Sequence, residues 1–308
     1  MTAVREGRVL KSTGSWYTVL DDQGGRHECR LKGLFRNKGI RATNPLAVGD
    51  LVDFTISNNE STGIISKIYP RSNYIIRKAT KLSKSTHIIA ANIDQVVIIV
   101  SLVQPRTSTG FIDRVLTTAE AYHIPATIVF NKIDLYDDEV MENLEDIVDT
   151  YTSIGYNALL TSVKERSGLD EFEMALRDKI SLLSGHSGVG KSAIINAVDE
   201  TLDLKTGEIS EYHSKGTHTT TFANMFPLAI GGMVIDTPGI KEFGLVEFNK
   251  AELGQRFPEI RRLMMDCRFN NCIHINEPGC AVVDAVENGK MAEFRYINYL
   301  NMIESLDK

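Results

Sequence analysis

Two rhythms of apolar residues divide the chain. Residues 1–70 carry short apolar stretches broken by turn residues: Gly7-Arg8-Val9-Leu10, Ser15-Trp16-Tyr17-Thr18-Val19-Leu20, Leu51-Val52-Asp53-Phe54-Thr55-Ile56 and Gly63-Ile64-Ile65-Ser66-Lys67-Ile68. Asp21-Asp22-Gln23-Gly24-Gly25 predicts a hairpin turn, because Asp and Gly supply the backbone angles of a tight reversal. Five short strands in about 70 residues point to a small β-barrel, with an OB-fold the best candidate; an SH3-like barrel would share the pattern. Residues 71–92 are weakly periodic and read as a connector. A new style begins at Gln95-Val96-Val97-Ile98-Ile99-Val100-Ser101. A continuous apolar run of this kind suits a strand covered on both faces of a parallel sheet. Helical spacing follows over 111–123, 138–154 and 169–179, with strand patterns at Ala126–Phe130 and Ala158–Thr161. Ile180–Ser184 leads into a Gly-rich loop, and Met233-Val234-Ile235 leads into Asp236. Alternation of this sort predicts a doubly wound α/β sheet. Residues 253–264 and 291–303 again have helical spacing, and no internal repeat is present.

Composition narrows the class. The 308 residues, 43% hydrophobic and 24% charged, suit a globular chain of two or three domains. No apolar run approaches the roughly 20 residues that span a bilayer, which predicts no membrane association. The start, MTAVREGRVLKSTG, lacks the apolar core of a signal peptide, so a cytoplasmic location is expected. The net charge of −6 argues against wholesale attraction to nucleic acid. The distribution is uneven, however: residues 1–75 hold eleven Lys/Arg against seven Asp/Glu. Arg26, Arg30, Lys32, Arg36, Lys38 and Arg41 crowd together, and Arg77, Lys78, Lys81 and Lys84 follow with no acid between them. Such clustering fits a polyanion footprint, and equally a solvated face.

The chemistry lies in short motifs. Gly185-His186-Ser187-Gly188-Val189-Gly190-Lys191-Ser192 fits the phosphate-loop pattern G-x-x-x-x-G-K-[ST]. In such a loop the backbone N–H groups curl around phosphate oxygens, and the following helix adds its positive end. Lys191 would bring an ammonium to the β- and γ-phosphates, and the Ser192 hydroxyl would ligate Mg²⁺. Asn131-Lys132-Ile133-Asp134 looks like the guanine-reading N-K-x-D motif of GTPases. The Asp134 carboxylate can accept from guanine N1 and N2, a donor pair that adenine lacks. The Lys132 stem can lie over the base. Ser162-Val163-Lys164 resembles the weaker S-A-K motif that supports the base.

Asp236-Thr237-Pro238-Gly239 resembles D-x-x-G, with Asp236 in the Walker-B role toward Mg²⁺ and the Gly239 amide placed to sense the γ-phosphate. Lys215-Gly216-Thr217-His218-Thr219-Thr220-Thr221 is a candidate switch I, in which Thr219 or Thr220 would close on Mg²⁺. Ile240 follows Gly239, where Ras carries its water-positioning glutamine, and an isoleucine cannot orient water. His218 is the first candidate within the chain for that polarity, with Lys191 the other catalytic expectation; a partner-ordered switch would serve equally. In the usual GTPase order the guanine motif follows the phosphate loop, but here it precedes it by about fifty residues. The order points to a circularly permuted GTPase.

Three of the four cysteines fall in Cys267-x4-Cys272-x-His274-x5-Cys280. Away from an oxidising compartment such a cluster reads as metal ligands before disulfides. Three thiolates and an imidazole form a closed set that suits one tetrahedral structural Zn²⁺. Glu277-Pro278-Gly279 supplies a turn ahead of Cys280. Cys29 stands alone and reads as a strand residue.

Together these motifs resemble the ribosome small-subunit-dependent GTPase A family (RsgA), over essentially the whole chain. The resemblance implies an OB-fold RNA-binding barrel over 1–72, a linker over 73–92, a circularly permuted GTPase domain over 93–244 and a mainly helical zinc domain over 245–308. It implies GTP/GDP with Mg²⁺, one Zn²⁺, and a GTPase stimulated by the small ribosomal subunit and acting in its late maturation. The partner would be that subunit with its rRNA, and the protein a monomer. An rRNA-binding scaffold with a non-hydrolysing nucleotide site is the alternative. One position departs from the family: its switch I reads K-G-R-H-T-T-T, and Thr217 replaces the arginine here.

Overall fold

The computed structural model describes residues 3–33, 45–56, 62–78, 86–202, 204, 223–236 and 249–306. His218, Thr219, Thr220 and Gly239, with Thr217 and Ile240, lie outside the described residues, as do Arg36, Lys38, Arg41, Lys81 and Lys84.

The first five strands are β1 (Val4–Ser12), β2 (Tyr17–Asp21), β3 (Arg26–Leu31), β4 (Leu51–Ile56) and β5 (Gly63–Ile68). Strand β1 pairs antiparallel with both β2 and β4; β2 pairs with β3, β3 runs parallel to β5, and β5 pairs with β4. The ring is therefore closed, and its order is that of an OB-fold rather than an SH3-like barrel. Alternation fills it: Val9, Tyr17, Val19, Cys29, Leu46, Val52, Phe54 and Ile65 form one buried core. Cys29 is thus a core residue, its thiol pushed up to about 12 by burial. Gly63 is required by contact, since a Cβ there would sit 2.6 Å from the Cys29 sulfur.

The segment expected as a plain connector contains two strands, β6 (Tyr74–Lys78) and β7 (Thr86–Ala91), paired antiparallel. Its weak periodicity hid them, although Ile75, Ala90 and Ala91 are fully buried. Arg71, just before β6, grips the fully buried Asp50 with two bonds of 2.6 and 2.7 Å, and Asp50 also accepts from the Ala47 N–H.

After this the chain alternates strand and helix: β8 (Gln95–Val100), α1 (Thr109–Ala121), β9 (Ala126–Asn131), α2 (Asp138–Ser153), β10 (Asn157–Thr161), α3 (Leu169–Leu176), β11 (Ile180–Ser184), α4 (Lys191–Val198), β12 (Asn224–Pro227) and β13 (Met233–Asp236). All six residues of β8 are buried, as its continuous apolar run requires. Asp137 caps α2 by accepting from the Val140 N–H at 2.9 Å. Helix α3 ends earlier than its periodicity suggested, because Arg177–Lys179 turn the chain into β11.

The contacts define two units. In the first, which contains the barrel, β11 runs parallel to β13, and β12 lies antiparallel between β13 and β1. The four-residue β12 escaped the sequence reading. In the second unit, β9 lies between β8 and its parallel neighbour β10.

The second unit also contains α5 (Lys250–Leu253), α6 (Pro258–Leu263), α7 (Ala281–Glu287) and α8 (Glu293–Ser305). The helix expected over 253–264 is broken. Pro258 opens α6 at its first turn, and a 3₁₀ turn over Gly254–Arg256 separates it from α5. Proline has no N–H to continue the preceding helix, so the break follows from its position. These helices share a core of Leu253, Phe257, Ile260, Cys272, Cys280, Val282, Ala285, Met291, Tyr299, Met302 and Ile303.

A buried charge fastens them to α1. The Arg295 guanidinium on α8 bonds Asp113 of α1, and its Nε and Nη2 donate to Glu259 of α6 at 2.7 and 3.1 Å. Tyr151 of α2 and Asn298 of α8 complete the shell of Asp113, donating at 2.6 and 2.7 Å. Removing the cation would strand two desolvated carboxylates. Arg295→Met is therefore expected to cost about 3–5 kcal/mol in thermal or urea unfolding. Arg261→Ala, which removes a half-exposed partner of Glu120, is expected to cost less than about 1 kcal/mol in the same assay.

Candidate nucleotide site and metal centre

Strand β9 delivers the guanine motif at its carboxyl end, where sheet ligands bind. Asn131 is buried there, and its side chain is engaged on both sides. Its Nδ2 donates to the Val189 carbonyl of the phosphate loop at 2.9 Å, and its Oδ1 accepts from the Thr161 hydroxyl at 3.1 Å. Lys132 adopts a left-handed backbone, φ 66°, and its Nζ donates to Gly188 O and Gln104 O, both at 2.7 Å. Two consecutive side chains thus hold two consecutive carbonyls of the loop.

The Asp134 side chain is largely enclosed. Its Oδ1 accepts from Ser162 Oγ at 2.6 Å, and its Oδ2 lies 3.7 Å from the ammonium of Lys164, which is itself mostly exposed. Ser162 also accepts from the Glu165 N–H at 3.1 Å, so its hydroxyl proton is committed to Asp134. Val163 completes the turn. The sequence reading placed Ser162–Lys164 beside the base; the side-chain link from Ser162 to Asp134 was not foreseen. A carboxylate oxygen carries two lone pairs, and so each can take a further donor.

The loop from Gly185 to Gly190 has three glycines at positive φ, namely Gly185, Gly188 and Gly190. At Gly190 the reason is steric as well, because a Cβ would run into the Asn131 amide. His186 packs its ring on Phe111 of α1, with centroids 4.2 Å apart. Ser187 and Gly188 are exposed and Val189 is buried. Beyond the loop, Lys191 and Ser192 open α4, and Ser192 is buried. Burial pushes the Lys191 ammonium below the ordinary lysine range, while the charge of Asp236 at the end of β13 opposes that shift.

The four expected metal ligands converge. One ligand atom from each of Cys267, Cys272, His274 and Cys280 lies within 4.8 Å of all the others. His274 Nδ1 is 3.5 Å from the Cys267 sulfur and 3.4 Å from the Cys280 sulfur, and the two sulfurs are 4.0 Å apart. Tetrahedral zinc with Zn–S about 2.3 Å and Zn–N about 2.0–2.1 Å requires edges of roughly 3.8 and 3.6 Å, so the donor set fits a zinc site. Burial raises the Cys272 and Cys280 thiols, a cost that a dication would remove.

The sequence reading took Glu277 as part of a turn and missed its carboxylate. Oε1 accepts from the Ile273 N–H at 2.7 Å, and Oε2 accepts from Ile275 at 2.9 Å and Asn276 at 3.1 Å. Tyr299 and Tyr296 of α8 donate to Ile273 O and His274 O at 2.8 and 2.9 Å. An acid three residues after the histidine, the only acid between Cys267 and Cys280, was the available signal. The carboxylate ties together the loop that carries Cys272 and His274. Glu277→Gln puts a donor where three N–H groups need acceptors. Chelator competition with zinc is expected to show about a 10–100-fold loss of affinity.

Among the described residues no helix is long and apolar enough to cross a membrane. Comparison with known proteins places these features. The family description RsgA GTPase matches residues 68–246, and RsgA N-terminal domain matches residues 6–65. The small ribosomal subunit biogenesis GTPase RsgA of Phocaeicola vulgatus is 52% identical over 303 residues, 98% of this chain and 97% of its own. The YjeQ crystal structure from Thermotoga maritima matches with a TM-score of 0.79 and 33% identity, covering 99% of each chain. The structure of YloQ, a circularly permuted GTPase, matches at TM-score 0.76 and 30% identity over 99% of this chain and 96% of that one.

Proposed function

This chain belongs to the RsgA family of circularly permuted GTPases, and on that premise we propose that it hydrolyses GTP in the biogenesis of the small ribosomal subunit. The observation that carries the reading is Asp134, enclosed and oriented by Ser162, on a motif whose Asn131 and Lys132 bond the phosphate loop. Guanine lies with N1 and N2 on the Asp134 carboxylate and the Lys132 stem along its face. The phosphates follow the N–H groups of Gly185–Gly190, from which the chain passes directly to Lys191 and Ser192.

Lys191 neutralises charge that develops on the β–γ bridge. Ser192, Thr220 and Asp236 would hold Mg²⁺, which would supply positive charge toward the phosphates. The Gly239 amide reads the γ-phosphate. Since Ile240 cannot orient water, hydrolysis waits for a group ordered by the partner; His218 supplies that polarity, and the subunit provides the order. GTP therefore favours the subunit-bound protein, and hydrolysis releases it. The barrel meets rRNA through its basic and aromatic surface, where the Arg30 guanidinium stacks 3.9 Å from the Trp16 ring. Cys267, Cys272, His274 and Cys280 hold one Zn²⁺. The protein works as a monomer, in the cytoplasm, late in subunit maturation.

GTP turnover with purified small subunits, measured at several salt concentrations, tests enzyme, partner and electrostatics together. Turnover is expected to rise with subunits and to vanish in Lys191→Ala. Absence of stimulation, with Lys191→Ala unchanged, would instead describe a scaffold. Asp134→Asn is expected to weaken GDP at least about a hundredfold, because the amide meets guanine donors with a donor. Xanthine nucleotides, which offer a 2-carbonyl, should regain affinity in that variant by isothermal titration.

A further inference from the structure

Tyr136 lies two residues beyond Asp134, outside the guanine-motif letters, and its hydroxyl is a junction. It accepts from the Leu102 N–H at 2.8 Å and donates to the Asn131 carbonyl at 3.1 Å, with Ser101 Oγ 3.5 Å away. Burial raises the phenol further above the ordinary tyrosine range, so it stays a neutral donor at any working pH.

The two bonded partners matter. The Asn131 carbonyl belongs to the peptide plane that precedes Lys132. Lys132 sits at φ 66°, a conformation that crowds a Cβ against the following carbonyl oxygen. Something must fix the plane about which that angle is set, and the Tyr136 hydroxyl holds its oxygen. Leu102 begins the turn that reaches Gln104, and the Gln104 carbonyl takes the Lys132 ammonium at 2.7 Å, opposite Gly188. The same phenol therefore supports Lys132 at both ends, the backbone through Asn131 and the ammonium through the 102–104 turn. Asn131, held at its carbonyl, directs its amide to Val189.

We infer that Tyr136 is a positioning residue for guanine nucleotides, setting Lys132 and Asn131 for the base and the phosphate loop. The inference rests on the guanine reading above. It predicts that losing the hydroxyl weakens the nucleotide through those two residues, without touching it directly.

Tyr136→Phe keeps the ring and removes only the oxygen. Expected results are about a tenfold weaker GDP affinity by titration, carried mainly by faster dissociation of a fluorescent GDP, and a loss that falls on KM for GTP rather than on kcat. The midpoint of thermal unfolding should move by less than about 4 °C. The decisive readout is coupling. Tyr136→Phe combined with Lys132→Ala should lose less GDP affinity than the product of the two single losses, because only the route through Asn131 then remains for the phenol to act on. Independent, multiplicative losses, or a Tyr136→Phe variant with wild-type GDP affinity, would overturn the inference. Wild-type protein that binds GDP and ADP equally would overturn the guanine reading beneath it, a result distinguishable because it appears before any variant is made.

Discussion

Two side chains of one strand end hold two peptide groups of a loop that comes later in the chain, and the placement of the N-K-x-D stretch against that loop depends on this clamp. Asn131 binds Val189 and Lys132 binds Gly188 across 58 and 56 positions of sequence. A hydrogen bond is indifferent to chain order. It needs only that the carboxyl end of β9 and the phosphate loop meet with donor facing acceptor. Permuting the segments therefore leaves the chemistry intact. The clamp also dictates composition on its far side, since the Asn131 amide fills the space where a side chain on Gly190 would project.

The C-terminal helices, which belong to one unit with α1 and α2, carry polar fastenings beside their apolar core, and two of them are buried. One is the Cys267, Cys272, His274 and Cys280 cluster, organised from behind by Glu277 and by the hydroxyls of Tyr296 and Tyr299. The other is Arg295, buried between Asp113 and Glu259. Desolvating three charges is expensive, so the triad is weak evidence of net stability even though removing its cation alone is costly. On α1 the two roles lie close together: Phe111 packs on His186 of the phosphate loop, and two residues on, Asp113 takes Arg295. The helix that lines the loop is also the helix on which the C-terminal helices are fastened.

By itself the sequence determined what local spacing can carry. The continuous apolar run of β8, the alternation in the barrel strands, the phosphate-loop glycines and the ligand intervals from Cys267 to Cys280 each need no distant partner to be read. The helix break at Pro258 was equally legible, although the periodicity over 253–264 overrode it in the reading. The short strands β6, β7 and β12 were not legible, because their four to six residues show too little alternation to mark a strand. The closure of the barrel, the commitment of Ser162 to Asp134, the three bonds of Glu277, the junction at Tyr136 and the charge of Arg295 against Asp113, 182 residues away, were decided only by the tertiary structure. The physical reason is common to all of them: a hydrogen bond or buried ion pair has no periodicity along the chain, and its partner is chosen by where the folded backbone happens to return.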